Sequence, residues 1–191
     1  MPRLFFIFLT IILTGCKQKV APRQQQSAET KNDFFPVTKY LLGQLNEVDS
    51  LPVTPLKITT KNGKTDSVWL KRSDIKVFAR PFLTPVIDSA TWSKYFSEKS
   101  FLDQTINAFT FSYDPVKQLP DYVELRRWDV YVDPATGKVM RVYIVKQCAN
   151  PPQTIQLTWK NDSYCKITTI TELPGSASKI KEEQVIWNFN E

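Results

Sequence analysis

From Thr105 onward the chain alternates apolar and polar residues with a period of two, the spacing of a strand with one buried and one wetted face. Ile155, Leu157 and Trp159 interleave with Thr154, Gln156 and Thr158, and Val185, Trp187 and Phe189 repeat the pattern. The pattern predicts strands over 106–113, 122–133, 138–147, 153–160, 164–172 and 181–190. Turn residues punctuate them: Asp133-Pro134-Ala135-Thr136-Gly137, Asn150-Pro151-Pro152 and Asn161-Asp162-Ser163. Short strands with tight connections predict an antiparallel meander.

Upstream the period changes. Phe34, Val37, Leu41, Leu45 and Val48 recur at helical spacing, with Asp33 as the expected cap and Pro36 in the first turn. Leu56–Thr60 and Thr65–Leu70 flank Lys61-Asn62-Gly63-Lys64, and Asn-Gly between strand-like runs predicts a hairpin with a type I′ turn. Segment 73–104 reads as a helical excursion. Ser73-Asp74 caps a helix to about Ala79, Pro81 and Pro85 interrupt it, and Ser89 or Thr91 starts a second helix carrying Trp92, Tyr95 and Phe96. The fold class expected is α+β, with N-terminal helices packed on one face of a twisted antiparallel sheet; a small closed β-barrel from the same strands is the alternative.

The first residues follow neither period. Leu4 to Leu13 is apolar except for Thr10, behind Arg3 and ahead of Leu13-Thr14-Gly15-Cys16. A spanning helix needs about 20 apolar residues, roughly twice this run. A positive start, a short apolar core and small residues before a cut describe a secretory signal. Leu13-Thr14-Gly15-Cys16 resembles the lipobox of bacterial lipoproteins. The resemblance implies cleavage between Gly15 and Cys16, a covalent lipid on the Cys16 thiol and attachment to a membrane. Two or more acyl chains hold firmly where one binds reversibly. Lys17 stands where inner-membrane retention in enteric lipoproteins uses Asp, which favours the outer membrane. Residues 1–15 are then the cleaved signal peptide, 16–33 the lipidated cysteine and a polar tether, and 34–191 a single domain. As a random coil the tether spans roughly 20–25 Å r.m.s..

Charge adds little once it is located. The net charge is +6, but Arg3, Lys17, Lys19, Arg23 and Lys31 precede the domain, and 34–191 holds 20 basic against 17 acidic side chains. Lys71-Arg72 and Arg126-Arg127 are isolated pairs rather than a phosphate-binding stripe, so no nucleic-acid partner is expected. The chain contains no histidine. That excludes Ser-His-Asp and Cys-His catalysis and His-ligated metals. No Gly-rich phosphate loop occurs, and no cofactor is expected beyond the lipid on Cys16. Cys148 and Cys165 are expected to be free, because a meander puts them at opposite ends of the sheet.

Carboxylates are the remaining acid–base candidates. Asp129 and Asp133 share a strand face by i, i+4 spacing, which a hydrolase acting on envelope polymers would need. The plainer reading puts Asp133 in the turn and Asp129 in water. Tyr131 and Tyr143 alternate against the inward residues and are the expected exposed binding candidates. Trp159 and Trp187 read as core. Tyr131–Val139 is similar to the strand–turn–strand of small PepSY-type envelope domains over nine residues, and no function transfers with it. Asp49-Ser50-Leu51, Asp66-Ser67-Val68 and Asp88-Ser89-Ala90 resemble the Asp-Ser/Thr-apolar O-glycosylation acceptor of some envelope proteins; cap and turn roles explain the first and third equally. The sequence thus predicts a lipid-anchored, non-catalytic binding or assembly module for a protein, peptide or lipid. A carboxylate-dependent hydrolase and a structural spacer are the alternatives.

Overall fold

The structure, a computed structural model, describes residues 33–189. The expected cleavage and lipidation residues, Gly15 and Cys16, lie outside them. Nine strands form one antiparallel sheet: β1 (Leu56–Lys61), β2 (Lys64–Trp69), β3 (Phe96–Asp103), β4 (Ala108–Pro115), β5 (Leu125–Val132), β6 (Val139–Ala149), β7 (Pro152–Lys160), β8 (Tyr164–Thr171) and β9 (Lys179–Ile186). Their spatial order is β2-β1-β9-β8-β7-β6-β5-β4-β3. β3 to β9 follow one another as a meander: β4 to β9 are its six predicted strands, and β3, expected to be helical, adds a seventh at the edge. The N-terminal hairpin departs from it by adding to β9, with Leu56 opposite Ile186 and Lys61 opposite Lys181. β2 and β3 are free edges, so the sheet is open and the barrel alternative is excluded.

The β1–β2 turn forms as the residues dictate. Asn62 and Gly63 have φ of 53° and 74°, the positive values a type I′ turn requires. Helix α1 spans Val37–Ser50. Its entry differs from expectation: Pro36 rather than Asp33 occupies the cap position, and no side chain caps it. Helices α2 (Arg72–Phe78), α3 (Arg80–Leu83) and α4 (Ser89–Trp92) follow the hairpin. The helices are therefore not grouped ahead of the sheet; only α1 precedes all nine strands, and α2 to α4 lie between β2 and β3. Ser73 lies inside α2 instead of capping it, and Pro81 opens α3 instead of breaking a helix. Asp88 caps α4, accepting from the Thr91 backbone N–H at 2.8 Å.

Phe96 begins an edge strand and does not continue a helix. Trp92 and Phe96 meet edge-to-face at 5.7 Å, so their i, i+4 spacing produces a contact across the junction of α4 and β3.

One apolar core joins helices and sheet. Strand pairing puts Tyr113, Trp128, Ile144, Leu157, Ile167 and Val185 on the same face, and Leu41, Leu45, Ile75 and Phe82 cover it. Trp128 stacks on Tyr113 at 4.6 Å, with Phe34 and Phe96 against its other sides. Trp159 meets Phe82 at 5.7 Å and Trp187 at 5.2 Å. Such pairs add about 0.5–1.5 kcal/mol each beyond area burial. Phe189 is exposed, so the alternation of the last strand stops at Trp187.

Polar ties reinforce this layer. Thr38 Oγ1 accepts from the Ile87 backbone N–H, Tyr113 Oη from that of Phe35, and Ser89 Oγ from that of Phe34. Lys146, buried at 5% exposure, donates Nζ to the carbonyls of Pro81 and Thr84 at the end of α3. Cys165 is buried and Cys148 half-buried, and both are free.

Candidate functional site

The other face of the sheet carries polar side chains, and among the described residues no helix covers it. One row across five strands runs Thr110, Tyr131, Arg141, Lys160, Tyr164, each opposite the next. The adjacent row runs Ser112, Asp129, Tyr143, Thr158, Lys166. Both expected binding tyrosines, Tyr131 and Tyr143, therefore stand on the helix-free face, half-buried rather than fully exposed.

Asp129 differs from its expected place in water. It is 1% exposed, held by Arg127, whose Nε donates to both carboxylate oxygens at 3.1 Å. Arg127 also approaches Asp114 at 3.8 Å, and Asp114 pairs with Lys99 at 3.5 Å. Burial, and then the Asp129 charge, pushes the phenols of Tyr131 and Tyr143 above their ordinary value. The hydroxyls of Thr110 and Ser112 are buried without a hydrogen-bond partner among the described residues.

Asp133 belongs to the β5–β6 turn. Its carboxylate accepts from the Ala135 backbone N–H at 2.8 Å, and that bond holds it below the usual carboxylate range. One acid is locked to an arginine and the other to its own turn, so the structure gives the two no shared catalytic arrangement.

Along the Tyr131 row lies a cavity of about 210 Å³, whose lining includes Ile106, Tyr131, Met140, Arg141, Lys160 and Tyr164. The register makes it. Opposite Tyr131 and Val132 the β6 strand holds Arg141 and Val139, so Met140 is the extra residue of a bulge. A bulge re-aims side chains, and here both Met140 and its neighbour Arg141 line the cavity. The guanidinium of Arg141 lies 4.0 Å over the Tyr131 ring, and Lys160 Nζ lies 5.9 Å from the Tyr164 ring centre. The tyrosines hold the cations by their faces. Ile106 enters from the β3–β4 connection, where Asp103 is tied to Thr105 by bonds of 2.9 and 2.5 Å.

Sequence reasoning reached Tyr131 and missed Arg141, Lys160 and Tyr164. Alternation gives the face of each residue, but only strand register brings the four into one row.

The glycosylation-like triplets are partly engaged: Asp49 pairs with Lys76, Ser50 Oγ donates to the Glu47 carbonyl, and Asp88 is a cap. Ser67 is exposed on β2. Among the described residues there is no cluster of metal-ligating side chains and no helix long and apolar enough to cross a membrane.

No family model, curated protein or solved structure matches this chain.

Proposed function

We propose that this protein is a lipid-anchored envelope module, held at the outer membrane through Cys16, that recognises its target with the helix-free face of the sheet. One observation carries the reading: the face opposite the helix layer has a cavity walled by two cations and two tyrosines. A spacer has no use for such a feature. The sheet edges are weaker candidates for strand addition. β2 carries Lys64 and Asp66 and β3 carries Glu98, Lys99 and Asp103, charges that discourage pairing with another chain. Tyrosine and arginine, by contrast, are the side chains enriched where binding energy concentrates.

The test is photo-crosslinking in intact cells from a probe at Thr158, on the helix-free face, against one at exposed Leu42 on α1. Adducts from position 158 and none from position 42 are expected. Equal adducts, or adducts from α1 alone, sink the reading. The anchor is checked separately: Cys16→Ser should abolish incorporation of radiolabelled palmitate, and persistent labelling refutes lipidation there.

A further inference from the structure

Residues 100–113 form the outer half of β3, the turn after it and most of β4. They hold one charged side chain, Asp103, where a chain that is 23% charged would place about three. The Thr105 hydroxyl and backbone N–H both donate to Asp103 Oδ1, and with the nearby Arg141 charge they hold this carboxyl below its usual range. Apolar side chains stand in the open around the same tip. Phe101 is 50% exposed, Leu102 45%, Ile106 42% and Phe109 43%. Leu102 and Phe109 are direct cross-strand partners, Phe101 sits opposite Thr110 on the other face, and Ile106 lies in the turn. The hairpin tip is therefore apolar on both faces.

On the helix-bearing face the apolar row outruns its cover. Tyr113, Phe111 and Phe109 share that face by alternation, and they go from buried through half-buried to exposed toward the tip. The cross-strand row of Phe109 continues through Val132 to Val139. Phe35 lines a cavity with Lys138 and Val139, and the described chain begins at Asp33, so the chain enters the domain beside the strands that carry the tip. Residues 17–33, the tether expected from the sequence, give Cys16 an r.m.s. reach of roughly 20–25 Å from that entry. The eight residues of β4 span about 26 Å, so the two lengths match.

We infer that the β3–β4 hairpin is a second point of membrane contact, and that its occupant is the lipid bilayer to which Cys16 is attached. Phe101, Leu102, Ile106 and Phe109 enter the boundary between head groups and acyl chains, where apolar side chains leave water without the backbone crossing the membrane. Exposed apolar groups on an edge hairpin are an aggregation liability in solution. A bilayer held close by the anchor covers them. This rests on lipidation at Cys16 and goes beyond it, because an anchor on a tether leaves the domain free to tumble, whereas a second contact fixes its tilt. With the tip in the bilayer, the strands around β4 stand on end and the helix-free face opens sideways, clear of the lipid.

The experiment uses the lipidated protein in vesicles of phosphatidylethanolamine and phosphatidylglycerol. A diazirine amino acid replaces Phe101, Ile106 or Phe109, one at a time. The control position is Val116, 56% exposed just past the other end of β4 and about 23 Å from Phe109. Phospholipid adducts from the three tip positions and none from 116 are expected. Phe101→Ser with Phe109→Ser should lower the adduct yield from position 106 at least about tenfold. Equal yields from 106 and 116, or a crosslinked pair of protein chains in place of lipid adducts, overturn the inference. Absence of lipid on Cys16, read by the palmitate label, removes the anchor and this contact together; lipid on Cys16 without adducts from the tip removes the contact alone. A second measurement needs no substitution: vesicles doped with a diazirine phospholipid should label the unaltered protein within 101–109 and leave 116 unlabelled, and the reverse pattern overturns the inference even if a variant does not fold.

Discussion

The two halves of the Arg127–Asp129 pair should respond very differently to mutation, because they are buried very differently. The Asp129 side chain is 2% exposed and that of Arg127 is 47% exposed, at a separation of 3.1 Å. Two unit charges about 4 Å apart attract by about 4 kcal/mol at an effective dielectric near 20. Half-exposure of the guanidinium lets water screen part of this, leaving about 2 kcal/mol. Arg127→Met keeps the aliphatic stem and strands a buried carboxylate, so it should cost about 2–3 kcal/mol. Asp129→Asn leaves an arginine that reaches both solvent and Asp114 at 3.8 Å, and should cost about 1 kcal/mol. The double variant should fall close to Asp129→Asn alone, because the stranded charge is gone. Urea unfolding followed by tryptophan fluorescence measures all three; for a domain of this size Arg127→Met should lower Tm by about 5–10 °C. The reasoning is refuted if the two single variants cost the same, or if removing Asp129 does not rescue Arg127→Met.

Trp128→Ala removes the ring between Tyr113, Phe34 and Phe96 and should cost about 3–5 kcal/mol in the same assay; a loss below about 1 kcal/mol would show that the site collapses freely. Burial lowers the Lys146 amine from its ordinary value of 10.5. Between that lowered value and 10.5 the unfolded chain binds more protons than the folded one, so this group adds stability as pH rises through the window. The urea midpoint of the wild type should therefore gain on that of Lys146→Met as pH rises toward 10.5, and a constant difference would contradict the desolvation argument.

What the sequence reveals and what it hides divide along the range of the interactions. Asn62-Gly63 carries its turn in its own backbone preferences, and β4 to β9 repeat a period that survives every neighbour. β3 lacks such a signal. Ser97-Glu98-Lys99-Ser100 has no β-branched residue, and the strand exists because β4 offers it a partner. Trp92, Tyr95 and Phe96 mimic a helix because aromatic contacts across a chain reversal have the same spacing as contacts along a helix. The site divides the same way. The face of Tyr131 follows from alternation with Val130 and Val132, but its meeting with Arg141 depends on an extra residue in β6, and the place of Tyr164 depends on two further registers. Asp129 defeats a rule of thumb: its alternation is polar, yet Arg127 folds over it and shuts out water.

The addition of β1 to β9 also sets a schedule. Lys61 finds its strand partner in Lys181, so the first hairpin to be synthesised has to wait for almost the last residues. Until then β1 has only β2 beside it, and an isolated two-strand hairpin is marginal in water. Loss of β9 would thus undo the beginning of the chain as well as its end. A molecule truncated near Ser178 should present two strands with one unpaired edge each, β1 and β8, to proteases and chaperones.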